Sequence, residues 1–394
     1  MRKLQADFIF PISSPAIKGG ILITEDDGKI IEVIDPLIIQ YSLNDIEKHN
    51  GILCPGFINA HCHLELSHLR GVITEKKGMA NFISELLQNR FKTEDDELQQ
   101  SFIDAEKEML QNGIVAVGDI SNFASTIAIK QKGKLFYHTF VEVLAPDPSI
   151  AKLTFTNGKK IAEQFKDLPN GNASVVPHAP YTVSNELLDL INNDESDLPV
   201  SIHLHESEAE IEFCKNHTGP FAELFTRLNF NFKHTYPSGF RPIHQVMNHL
   251  TGKKNLALVH NTYTTREEIK WANDLHKNLY WCLCPIANLF IENRLPDIKS
   301  FIEEGSKIIM GTDSLASNHE LSVLEELKTI AQYFREIKLE KILEWATING
   351  AKFLHIENKF GSFEKNKHPG IVLLKNIDSG NLTLTAGSSV VRLL

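Results

Sequence analysis

The chain has 394 residues, 42% of them hydrophobic and 23% charged, with 50 acidic against 40 basic side chains and a formal net charge of −10. That length accommodates one large barrel-sized domain with a smaller companion, and the acidic balance excludes a nucleic-acid footprint, which needs a basic stripe. With no apolar run of about 18 residues, no signal-peptide pattern at Met1–Asp7 and five cysteines lacking CxxC spacing, a cytoplasmic enzyme with reduced thiols and no membrane partner is expected.

In chain order, residues 1–50 predict short strands at 6–10, 19–24 and 29–34, the last following the Asp26-Asp27-Gly28 turn. Residues 371–374, 382–385 and 390–394 have the same character. The two ends predict one composite β-sandwich built from 1–50 and 360–394; the alternative is edge strands of a single sheet. Between them, apolar strands are predicted at 51–59, 114–120, 134–143, 173–178, 200–205, 256–260, 279–283 and 307–312. Helical patterns fall between most of them, at 79–90, 96–111, 186–192, 241–250 and 266–275. Strand–helix alternation means a parallel sheet covered by helices. Eight such strands make an α/β chain with a (β/α)8 TIM barrel over 51–359. No GxGxxG follows the first strand and no Walker sequence occurs, which removes the doubly wound cofactor folds. The aromatic stretch 218–241 reads as a long loop shaping the substrate entrance.

The chemistry gathers at predicted strand ends. His61 and His63 are two residues apart on one strand, so they share a face. Among 17 histidines one such pair is expected by chance, and alone it carries little. Further strands, however, end at His178, His203, His260 and Asp313. A structural histidine is usually solitary, so this recurrence points to a metal site. His61, His63 and His203 would supply nitrogens and Asp313 a carboxylate to one divalent ion, zinc first, iron or manganese next. Such an ion lowers the pKa of its water towards neutrality. Glu206 is placed to carry the proton, although Glu208, Glu210 and Glu212 allow it to be one more solvated loop acid. His260 suits polarising the water, and the catalytic set is Glu206, His260 and Asp313. His205 is a competing ligand, expected on the same strand face as His203.

The run Pro55-Gly56-Phe57-Ile58-Asn59-Ala60-His61-Cys62-His63, then His203-x-x-Glu206, then His260, then Gly311-Thr312-Asp313-Ser314 resembles the amidohydrolase superfamily. It is most similar to the branch of cytosine/adenosine-type aminohydrolases and related chlorohydrolases, over nearly the whole chain. The resemblance implies that His61, His63, His203 and Asp313 bind one metal while Glu206 and His260 work on the water. Binuclear members carry a lysine on the fourth strand; Val175-Val176-Pro177-His178 has none. The usual Lys-x-Ala-Asp-Leu exit segment is Lys367-His368-Pro369-Gly370-Ile371 here, a departure remote from the chemistry. The zinc deaminases with Pro-Cys-x-x-Cys are excluded, since no such cysteine pair exists.

Leu64-Glu65-Leu66-Ser67 is similar to the segment that faces the aminopurine ring in aminodeoxyfutalosine deaminases, which makes Glu65 and Ser67 candidate substrate contacts. For Glu65 the alternative is an acid favoured at a helix start. His178-Ala179-Pro180-Tyr181 resembles the nucleoside-facing segment of the branch, implicating His178 and Tyr181, and Ser317 is a further candidate contact. Asn288, after Cys284-Pro285, would either line the pocket or cap the next turn. The implied reaction is deamination of an aminopurine or purine nucleoside with release of ammonia, aminodeoxyfutalosine of the alternative menaquinone route first. S-adenosylhomocysteine, adenosine or guanine follow, then chloro- or formimino-compounds. A non-catalytic scaffold is disfavoured because every ligand is kept, and the family implies that a homodimer forms.

Overall fold

The computed structural model describes residues 1–38, 45–230, 239–251, 254–378 and 380–394. The apolar run predicted as one strand at 51–59 is divided between two sheets. After β1 (Arg2–Ile9), β2 (Ile17–Lys18), β3 (Ile21–Thr24) and β4 (Ile30–Ile34), the chain forms β5 (Glu47–Pro55) and then β6 (Phe57–Cys62). The break falls at Gly56, where a Cβ would stand 2.3 Å from Val115 Cγ1. Only glycine lets the backbone pass this close while changing sheets.

The termini build one sheet together. Its strand order is β15-β14-β5-β1-β3-β4 with β2 on the edge of β1, where β14 is Ile371–Lys375 and β15 is Ser389–Arg392. β5 runs parallel to β1 and antiparallel to β14, so it joins the two ends of the chain. The strand predicted at 382–385 does not form. Thr383 makes an isolated bridge to Asp378, while Thr385 Oγ1 and Ser388 Oγ both donate to the Asn376 carbonyl at 2.9 and 3.1 Å. Such local bonds compete with a ladder.

The remaining strands form two four-stranded parallel sheets. One runs β6, β7 (Ile114–Ser121), β8 (Phe136–Val143), β9 (Gly171–Pro177); the other runs β10 (Val200–Leu204), β11 (Leu256–His260), β12 (Leu279–Leu283), β13 (Ile308–Met310). All eight predicted strands are present. Every residue of β7, β8, β11 and β12 is buried, as expected when helices cover a parallel sheet. The sheets meet at their edges. His203 N–H donates to the His178 carbonyl at 3.0 Å, Cys62 bridges Asp313 in parallel, and the Thr312 and Asp313 amides both donate to the His61 carbonyl.

Predicted helices appear as Met79–Asn89, Asp95–Gln111, Asn185–Asn192, Pro242–His249 and Arg266–Leu275. The expected loop over 218–241 is corrected in its first half, which is the helix Gly219–Arg227. Pro220 fits a helix start. Phe221, Leu224 and Phe225 make an apolar face at helical spacing that packs with Tyr181 and Phe213. Residues 231–238 of that stretch lie outside the described residues. No helix among the described residues is long and apolar enough to cross a membrane.

Candidate metal centre

The end of β6 brings His61 Nε2 and His63 Nε2 to 3.2 Å from each other, and His203 Nε2 stands 3.3 Å from His63 Nε2. Asp313 Oδ1 completes the group at 3.4 Å from His61 and 3.3 Å from His63. Two nitrogens bound to one tetrahedral zinc at about 2.0–2.1 Å stand about 3.4 Å apart. The observed spacing is that of ligands around a common centre, so the donor set fits a divalent ion. His260 also belongs to the neighbourhood: ligand atoms of His61, His203, His260 and Asp313 all lie within 4.8 Å of one another.

His203 and Asp313 are aimed by specific partners, whereas His61 Nδ1 is buried without one among the described residues. His203 Nδ1–H donates to the His178 carbonyl at 2.9 Å, which leaves Nε2 as a lone pair facing the centre. Asp313 sits at φ +57°, and its second oxygen accepts from Ser317 Oγ. Gly311, two residues earlier, admits the strand beside His61, whose Cβ would lie 2.7 Å from any Cβ there. Burial pushes the Asp313 carboxyl up, but the bonds to His61 and His63 outweigh it and hold it well below the usual range.

His260 lies at φ +76°, a conformation L-residues keep only where the surroundings enforce it. Its Nδ1–H donates to Asn288 Oδ1 at 3.0 Å, and Asn288 Nδ2 returns a bond to the His260 carbonyl at 3.3 Å. Asn288 therefore clamps His260. Burial, ahead of every other influence, pushes His260 down to about 4, so the ring is neutral with Nε2 unprotonated. That nitrogen faces Glu206 Oε1 at 3.3 Å without hydrogen-bond alignment.

Glu206 is buried, which separates it from a solvated loop acid. Its amide and that of His205 donate to the two oxygens of Glu210, at 2.8 and 3.0 Å. Glu210 opens the helix Glu208–Asn216, so the acids after Glu206 belong to a capped helix whose N-cap is Ser207. Burial first, then the Asp313 and Glu210 charges, push the Glu206 carboxyl well above the usual carboxylate range.

The shared face expected for His203 and His205 is not observed. β10 ends at Leu204, and His205 takes φ +50°, which turns its ring out of the alternation. Its Nδ1 bonds Thr264 Oγ1 at 3.0 Å. Among the expected substrate contacts, Glu65 is buried in the 3-10 turn Leu64–Leu69, ion-paired with Arg90 and accepting the Asn122 amide at 3.0 Å. Burial, opposed by Arg90, pushes its carboxyl up to about 7. Ser67 instead turns its hydroxyl to the Leu64 carbonyl at 2.7 Å, and Ser317 serves Asp313. His178 bonds Thr182 Oγ1 through Nδ1 at 2.8 Å, with the Tyr181 ring edge-on at 5.8 Å.

Three residues went unnoticed in the sequence. Glu142 Oε1 lies 3.5 Å from His203 Nδ1, and its Oε2 accepts from Asn122 Nδ2 at 3.0 Å; Asn122 in turn accepts from Arg90 at 2.7 Å. Burial raises the Glu142 carboxyl, but the His178, His203 and His63 rings and the Asn122 bond outweigh it and bring it to about 2. The available signal was Glu142, the one acid in the predicted strand 134–143.

Comparison with known proteins agrees with this geometry. The chain is 28% identical over 361 residues to adenosine deaminase of Helicobacter pylori, covering 86% of this chain and 84% of that one. It is 25% identical over 367 residues to a 5'-deoxyadenosine deaminase of Methanococcus maripaludis, covering 88% and 81%. Its fold matches the crystal structure of Helicobacter pylori aminofutalosine deaminase in complex with methylthio-coformycin, with TM-score 0.80, 25% identity and coverage of 95% and 92%. Residues 52–389 match the amidohydrolase family, so the chain belongs to that family and is a hydrolase.

Proposed function

We propose that the protein deaminates an aminated purine nucleoside, aminodeoxyfutalosine being the first candidate, and that His61, His63, His203 and Asp313 hold a single divalent ion, zinc before iron or manganese. The observation that carries this reading is the convergence of three imidazole Nε2 atoms and one carboxylate oxygen at 3.2–3.4 Å spacings. When bound, the ion would act as a Lewis acid and lower the pKa of water to about 7.

The chain's own residues do the rest. Glu206, buried and readily protonated, accepts the proton released as water adds to the ring carbon and passes it to the departing amine. Water and the aminopurine become the oxo-purine and ammonia, and Glu206 ends as it began. Burial keeps His260 neutral, and the clamp from Asn288 holds its Nε2 lone pair towards Glu206 and the reacting oxygen. Glu65, with a carboxyl near 7, suits sharing a proton with a ring nitrogen. His178 and Tyr181 flank the side where the rest of the nucleoside would lie. The relatives' names support the class, since adenosine, 5'-deoxyadenosine and aminofutalosine all present an aminated substrate. On this reading the eight parallel strands from β6 onwards close into one (β/α)8 barrel up to residue 359, the terminal sheet from 1–55 and 360–394 folds as a sandwich, and the enzyme works in the cytoplasm as a homodimer.

Ammonia release from a panel of zinc-loaded reactions tests the substrate: adenosine, 5'-deoxyadenosine, S-adenosylhomocysteine, aminodeoxyfutalosine, adenine and guanine. Release from the nucleosides with aminodeoxyfutalosine leading is expected. Release from free bases alone, or from none, contradicts the nucleoside reading.

A further inference from the structure

Beneath the metal cluster lies an ion pair with no exposed side-chain atom. Lys130 Nζ is 2.6 Å from Asp119 Oδ2, and both side chains are fully buried. The ammonium is saturated, donating also to Thr139 Oγ1 at 3.0 Å and Ser121 Oγ at 3.4 Å, and it stands 4.8 Å from the Phe165 ring centre. Asp119 Oδ1 points the other way and accepts the Leu64 amide at 2.7 Å. Leu64 directly follows His63.

The backbone explains why that amide needs a side-chain partner. Pairing of β6 with β7 shifts register between Asn59 and Cys62, resumes with Cys62 opposite Asp119, and stops where β6 ends. Beyond that point no ladder carbonyl serves Leu64 N–H. On its other edge the same strand end is held by backbone, through the Thr312 and Asp313 amides on the His61 carbonyl. His61 and His63 are therefore fixed by main-chain bonds on the Asp313 side and by one carboxylate on the β7 side.

A buried ion pair is a poor source of stability, since apolar replacements of similar volume are often neutral or better. A carboxylate acceptor does, however, make a shorter and stronger bond to an amide than a neutral group does. We propose that Asp119 and Lys130 are positioning residues for the metal centre: Asp119 fixes the Leu64 amide, and with it the direction of the His63 ring, while Lys130 supplies the countercharge that lets a carboxylate sit there. This rests on the reading of His61 and His63 as metal ligands.

The test is zinc affinity, measured on metal-stripped full-length protein by competition with a chromophoric chelator, beside the Tm of the metal-free form. The double variant Asp119→Leu with Lys130→Met removes acceptor and countercharge together. Its metal-free Tm is expected to shift little, because removing a buried ion pair offsets the unpaired Leu64 amide, while zinc affinity falls by about 10–100-fold, the range for lost supporting contacts. Asp119→Asn with Lys130→Met keeps a neutral acceptor for Leu64 and should recover part of that loss. Wild-type affinity in the first variant overturns the proposal, as does a loss of metal-free Tm in step with affinity in both. Failure of the wild-type protein itself to bind zinc would overturn the metal reading beneath it.

Discussion

At the scale of single residues, His203, Asp313 and His260 are each oriented by one partner: the His178 carbonyl, Ser317 and Asn288. Glu206→Gln should keep the metal and lose about 10²–10⁴-fold in turnover, because the proton carrier goes while the ligands stay; activity within a few-fold of wild type would remove Glu206 from the mechanism. Asn288→Leu frees His260 to rotate and take the other tautomer, so kcat should fall by about tenfold or more with zinc content unchanged; an unaltered kcat would show the clamp to be idle. The ligand candidates were legible because their spacing carries chemistry, as in His61-x-His63 and His203-x-x-Glu206. Their supports were less so: Glu142 and Asp119 reach the site from other strands with no motif of their own, and Asn288, singled out after Cys284-Pro285, gave no sign in the sequence that it would hold His260. His205 misled for a simple reason: alternation assumes the strand continues, and the strand stops one residue before it.

At the scale of elements, the parallel strands were legible because both faces are buried and their sequences are continuously apolar. What the pattern could not show is where one apolar run changes sheets. Residues 51–59 read as a single strand, and only the close approach of Val115 to Gly56 reveals the break. The helix Gly219–Arg227 was hidden by its glycine, proline and phenylalanines, which read equally as a loop until its apolar face finds Tyr181 and Phe213. Gly311 gives the element-scale test. Gly311→Ala would place a methyl 2.7 Å from His61 Cβ and 2.9 Å from Cys284 Sγ. Overpacking of this kind costs about 1–3 kcal/mol, and here the strain falls on a ligand. Both Tm and zinc affinity should drop; a variant with unchanged zinc affinity would show that the strand end relaxes without moving His61.

At the scale of the whole molecule, buried neutral histidines away from the centre make the fold sensitive to acid. His138 is fully buried on β8, bonded to Ser174 Oγ at 2.9 Å, and burial leads the influences that bring it from 6.5 to about 3. His276 is brought by burial to about 4. Each binds a proton more readily unfolded than folded. The native state is therefore unpenalised above 6.5 and loses stability as pH falls from there towards the folded values. The slope is about 1.4 kcal/mol per pH unit for each such group. Urea unfolding at pH 7, 6 and 5 should show this fall, and His138→Asn should lessen its slope; a flat profile in the wild type would contradict the burial argument. Composition foretold a large α/β enzyme because acidic balance and alternating strands are global properties. It could not foretell that β5 would carry the N-terminal strands and the C-terminal hairpin in one sheet, since that pairing joins residues more than three hundred positions apart.

The central claim is that His61, His63, His203 and Asp313 hold one catalytic metal, with His260 beside it and His205 turned away. It is tested most directly by metal content per chain across six alanine variants of these residues, each purified in the presence of zinc. The expected result is one ion per chain in the wild type, His205→Ala and His260→Ala, and sharply reduced content in the other four. Retention by His203→Ala with loss in His205→Ala or His260→Ala, or two ions per wild-type chain, would contradict it.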